Sequence, residues 1–120
     1  MGIIFHITSA QEWLASEAKS HYEVDSLKDE GFIHCSTVGQ VLGVASRYYL
    51  GRDDLVLLCI DEILVKEELL YEVSSSADSS GERYPHIYGP LNMEAIVRVV
   101  DFPPQGDGSF LLPGELQDLL

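Results

Sequence analysis

The chain has 120 residues, enough for one domain with a real hydrophobic core; 46% of them are hydrophobic and 22% charged. Twenty acidic residues stand against seven basic ones, a net charge of −13. That balance repels phosphate backbones and anionic bilayers, so general nucleic-acid binding is disfavoured, while a cationic partner or a small substrate held by local groups stays open. No stretch approaches the ~20 apolar residues of a membrane span, and no basic-then-apolar leader is legible at Met1. Cys35 and Cys59 alone make neither a disulfide framework nor a four-cysteine zinc site. The expectation is a cytoplasmic protein with no membrane partner and reduced thiols.

In chain order, Ile3–Ile7 reads as a first strand. Ser9 and Glu12 make a Ser-x-x-Glu capping box, which opens a helix to about Lys19. His21–Glu30 is polar and acidic and reads as a loop with a short turn. Phe32–Cys35 is a second strand. A second helix follows at once, with Thr37 and Gln40 as another capping box, apolar positions Val38, Val41, Leu42, Ala45 and Tyr48, and Gly51 as its stop. Leu55–Ile60 is a continuous apolar run of strand length and predicts a buried central strand, with Cys59 a small buried hydrophobe. Leu69–Val73 and Ile96–Phe102 are further strands. Ser74–Glu82, with five serines, reads as a mobile surface loop, and the segment from Pro103 is turn-rich. The whole predicts one α+β domain over residues 1–120: a small, mostly antiparallel or split sheet, two main helices, and a turn-rich extension over 103–120.

Three of the four histidines share a context. They occur in Ile4-Phe5-His6-Ile7-Thr8, Phe32-Ile33-His34-Cys35-Ser36 and Tyr84-Pro85-His86-Ile87-Tyr88, each followed two residues later by a hydroxyl. Strand side chains alternate with period two. One sheet face is therefore expected to carry His6, His34, His86, Thr8, Ser36 and Tyr88, with Phe5, Ile7, Ile33 and Ile87 turned to the core. Each imidazole has a second reading as a hydrogen-bonded structural residue. Ser36 and Thr37 stand where a helix is expected to begin, so they read both as caps and as part of an anion site. Arg83, after the serine-rich loop, reads as a phosphate clamp or a solvated side chain. Three histidines also raise a zinc site, but no two share a short ligand spacing, and no metal is expected. No Gly-x-Gly-x-x-Gly, Walker or nucleophile-elbow motif occurs.

On the runs Ile-Phe-His-Ile-Thr, Gly31-Phe32-Ile33-His34-Cys35-Ser36-Thr37, Tyr71-Glu72 and Tyr84-Pro85-His86-Ile87-Tyr88-Gly89-Pro90-Leu91, the chain is identified as a member of domain-of-unknown-function family 952. That family has no established reaction. More distantly, the chain resembles the ADP-ribosyltransferase fold, in particular its RNA 2′-phosphotransferase branch. His6-Ile7-Thr8 is similar to that fold's first-strand motif, and His34-Cys35-Ser36 to its second. The resemblance implies NAD or a related nucleotide as ligand and substrate, and transfer at the nicotinamide ribose. It assigns His6 and Thr8 to one ribose, His34 and Ser36 to the second ribose or a phosphate, Tyr88 to stacking, and His86 to acid, base or orienting work. The chain departs from that branch in having only Arg47, Arg52, Arg83 and Arg98, of which only Arg83 adjoins a motif. The glutamate of the protein-modifying enzymes has no clear counterpart, Glu72 and Glu94 being the candidates. The alternative is a non-catalytic module of the same fold that binds a small metabolite or a basic protein.

Overall fold

The computed structural model describes residues 2–73 and 81–119. Its centre is an antiparallel sheet of β1 (Ile3–Ser9), β4 (Leu55–Asp61) and β8 (Ile96–Asp101), with β4 in the middle. The continuous apolar run of β4 has a direct cause. Leu55, Leu57 and Cys59 point into one core cluster, and Val56, Leu58 and Ile60 into another, so both faces of the strand are buried. Each such side chain contributes about 1.5–3 kcal/mol on leaving water.

A second antiparallel sheet is ordered β3 (Ile33–His34), β6 (Arg83–Tyr88), β5 (Glu68–Val73). The two sheets touch at one bridge, where Phe5 and Ser36 exchange both backbone hydrogen bonds at 2.7 Å. A two-stranded ladder, β2 (His21–Tyr22) with β7 (Leu91–Asn92), completes the architecture. The fold is α+β with small antiparallel sheets.

Helix α1 (Ala10–Glu17) follows β1 directly, and Ser9 caps it by accepting from the Glu12 N–H at 3.1 Å. The polar stretch expected as a loop holds a short helix, α2 (Asp25–Asp29), of five residues with no buried side chain. Helix α3 (Val41–Tyr48) starts a turn later than its apolar spacing suggested. Residues 37–40 form a turn in which Gln40 Oε1 takes the Thr37 N–H, and Val38 is 40% exposed. Val41 and Ala45 are the positions α3 buries.

The first core cluster joins Phe5, Ile7, Val41 and Ala45 to Phe102, Phe110 and Leu116, so the turn-rich C-terminal segment packs on the central sheet. The second joins Ile4 and Tyr22 to Ile33, Cys35, Ile87 and Leu91. Cys35 and Cys59 are both buried and unpaired. Burial pushes both thiols up, Cys59 to about 11. Among the described residues no helix is long and apolar enough to cross a membrane. The expected serine-rich loop falls largely on residues 74–80, outside the described ones.

Candidate functional site

Among the described residues, the edge of β1 opposite β4 is paired only at Phe5. Backbone groups of an antiparallel strand point alternately to its two sides. Phe5 points its N–H and C=O at Ser36, so Ile7 points its pair the same way, past the end of the bridge. No described group hydrogen-bonds the Ile7 pair on that side. The edge opens into a cleft of about 540 Å³, within the range of small-molecule sites. Thr8, Ser36, His34, Arg47 and Tyr84 are among the residues that line it.

His6 also lines the cleft, but its ring is turned inward and 7% exposed. Its Nδ1–H donates to the His34 carbonyl at 2.6 Å, which leaves Nε2 to accept from the Tyr22 hydroxyl at 3.0 Å. Burial lowers its pKa from 6.5 to about 4, so the ring is neutral near pH 7. Both nitrogens are occupied by fully buried or backbone partners. His6 therefore holds β1, β2 and β3 in register and is not placed to carry a proton to a ligand.

The three imidazoles do not share one face. Phe5 and Ser36 are a hydrogen-bonded pair, so their side chains lie on one side, and His34, two residues before Ser36, lies there too. His6 follows Phe5 and projects to the other side with Ile4, toward Tyr22. His34 and His86 are a cross-strand pair, with ring centroids 5.5 Å apart. His34 is half-exposed, and its Nε2 meets Glu30 Oε1 at 3.0 Å. His86 is 1% exposed and does not line the cleft. Its Nδ1–H donates to Glu72 Oε1 at 3.0 Å, and the Tyr88 hydroxyl donates to the same oxygen. First the Tyr88 hydroxyl, then His86, hold the Glu72 carboxyl below the usual range.

The remaining expected residues divide in the same way. Thr8 and Ser36 are buried and line the cleft. Thr37 does not line it, and α3 begins too late for Ser36 and Thr37 to form its N-terminus. Arg83 opens β6 outside the cleft, its carbonyl accepting from Gln40 Nε2. Tyr88 joins Glu72 outside the cleft. Glu94 lies in the 3₁₀ turn 93–95, beside Asn92 and Lys66. Among the described residues no group of three His, Cys, Asp or Glu side chains is placed to hold a metal.

Sequence reasoning missed the cations of the cleft. Arg47 and Arg52 both line it, on and just after the last turn of α3. Arg52 is held by both oxygens of Asp54, at 3.0 and 2.7 Å. Arg47 has no carboxylate within ion-pair distance among the described residues, and lies over the Tyr48 ring at 5.9 Å. The neighbouring Tyr84 and Tyr48 hydroxyls hold its guanidinium still more firmly charged. The available signal was the crowding of two of the four arginines and two tyrosines into residues 47–52 of an acidic chain.

A family model described as "Protein of unknown function (DUF952)" matches residues 7–99. The chain belongs to this family. The match takes in the open edge of β1, both outer β3–β6 histidines and the arginines of the cleft. The crystal structure of CC0527 from Caulobacter crescentus, 30% identical, superposes with a TM-score of 0.79 over 98% of this chain and 96% of that one. Its solution NMR structure, 31% identical, gives 0.75 over 100% and 97%. The DUF952 architecture described above is thus similar to solved structures along its whole length. Among curated proteins, nothing matches the chain.

Proposed function

We propose that this DUF952 protein binds NAD or a related nucleotide such as ADP-ribose in the cleft beside β1. The observation that carries the reading is the N–H and C=O of Ile7, unpaired among the described residues and side by side inside that cleft. A primary carboxamide offers the complementary acceptor and donor at the same spacing, and nicotinamide carries one. The buried hydroxyls of Thr8 and Ser36 suit a ribose, and Arg47 suits a phosphate. The finer reading of the split sheets as ADP-ribosyltransferase-like belongs to the same proposal and rests on the motifs of β1 and β3.

If the protein is catalytic, the bond broken is that between nicotinamide and its ribose, the ribose anomeric carbon forms its new bond to water or to an acceptor's nucleophile that loses a proton, and nicotinamide leaves neutral. His34 then offers the available imidazole and Glu12 a cleft-lining carboxylate. One observation favours the non-catalytic alternative: His6, on the first-strand motif, has both nitrogens engaged and is neutral near pH 7. A ligand-observed NMR screen of NAD, ADP-ribose and cyclic phosphates tests the reading. Binding of NAD or ADP-ribose, weakened at least tenfold (about 1.4 kcal/mol) in Arg47→Ala, is expected. Release of free nicotinamide separates enzyme from module. Failure of every nucleotide to bind sinks the proposal.

A further inference from the structure

We infer that Phe32 covers a second binding site, for a sugar ring, on the outer face of β3, β6 and β5. It adjoins the cleft at His34 and Glu30, but Phe32, His86, Glu72 and Tyr88 lie outside it, and the inference does not depend on the nucleotide reading. The first observation is His86, 1% exposed, whose Nε2 has no hydrogen-bond partner among the described residues. Glu72 takes the Nδ1–H, so in the neutral ring Nε2 holds an unused lone pair. Buried polar atoms without partners are rare in folded proteins and call for a reason.

The second observation is what covers that ring. The Phe32 phenyl lies flat on His86, with centroids 4.0 Å apart and planes 17° from parallel. It also meets the edge of His34 at 4.7 Å and tilts against Tyr88 at 5.4 Å. Phe32 thus fills a space walled by three rings, and it is itself only partly buried. It follows Gly31, at φ +88°, a conformation that glycine adopts freely and that lets the chain turn at this point.

With the phenyl swung away, the space is bounded by ring faces and by acceptors: His86 Nε2, Glu72 and, beside His34, Glu30. Arg83 is the cation whose charge reaches Glu72. A sugar ring fits this chemistry. Its C–H face packs on aromatic rings as the phenyl does, and its rim carries O–H donors for carboxylates and a bare imidazole nitrogen. Such a ring can come from a free sugar or from the ribose of a nucleotide.

Acylation of unprotonated histidine by diethyl pyrocarbonate, mapped by mass spectrometry, tests this. In the wild type, His86 is expected to react far more slowly than the exposed His21. In Phe32→Ala its rate should rise to that of His21, and D-ribose or ADP-ribose should slow it again. Slowing by D-ribose supports a sugar site, and slowing by ADP-ribose alone supports it with the nucleotide as the source. A folded Phe32→Ala in which His86 stays unreactive, or reacts at one rate with and without both sugars, overturns the proposal. Should Phe32→Ala fail to fold, Phe32→Leu and the ¹⁵N resonance of wild-type His86 Nε2 take its place. A shift of that resonance on adding either sugar is expected, and none in either protein overturns the proposal.

Discussion

His6 shows how a side chain with a site-like sequence context becomes structural. Its Nδ1–H and Nε2 are both used, by the His34 carbonyl and the buried Tyr22 hydroxyl. His6→Ala leaves both partners unmet and should cost about 1–3 kcal/mol in urea denaturation. The ring also makes stability depend on pH. Its folded pKa lies below its unfolded one, so the unfolded chain binds more protons between pH 6.5 and about 4. The contribution is complete above pH 6.5 and is lost as pH falls through that window, a change of about 3 kcal/mol. His6→Ala should flatten this slope, as read by urea melts at pH 6.5 and 4.5. An unchanged slope would show that the ring titrates alike folded and unfolded. His34→Ala should cost about 1 kcal/mol or less, because its contact with Glu30 is half in water. At this scale the period-two pattern in the sequence places Thr8 with His6 and Ser36 with His34. What it lacks is the relative facing of the two segments, which is set by one bridge between Phe5 and Ser36, 31 positions apart in the chain.

Among the elements, those with an apolar period or a cap are legible in the sequence. The capping Ser9, the buried run of β4 and the Val41/Ala45 face of α3 are examples. Ser9→Ala should lower stability by about 1 kcal/mol, through loss of the Oγ acceptor at the Glu12 N–H. A thermal melt unchanged from the wild type would mean that water replaces the cap. The short elements were not legible for physical reasons. The strands β2 and β7 each have two residues, too few to show alternation, whereas the equally short β3 falls within the expected strand Phe32–Cys35. Helix α2 has five residues and packs only the half-buried Leu27 on the core, too little to show an apolar period. The apolar period of α3 extends back to Val38, but Val38 is exposed, because the Thr37–Gln40 bonds close a separate turn before the helix.

Over the whole molecule, the α+β class follows from the mix of strands and two main helices, but the cleft does not. It exists because β1 and β3 part after a single bridge, a long-range event with no local signature. The arginines reach it only because α3 runs alongside. The C-terminal segment is likewise part of the core and not an appendage. Phe110 stacks on Phe102 with centroids 4.7 Å apart, and Leu116 is fully buried. Phe110→Ala should therefore cost about 3–5 kcal/mol, measured by chemical denaturation. A loss near zero would show that the segment docks without contributing to the fold.

The open edge of β1 is the feature on which nucleotide binding depends. Its most direct test is the backbone amide of Ile7 in a ¹H–¹⁵N NMR titration with NAD. The prediction is a saturable downfield shift of the Ile7 N–H, as it gains a hydrogen bond, together with shifts at Thr8, Ser36 and the Arg47 side chain. Saturation with Ile7 unmoved, or shifts confined to residues outside the cleft, would contradict it.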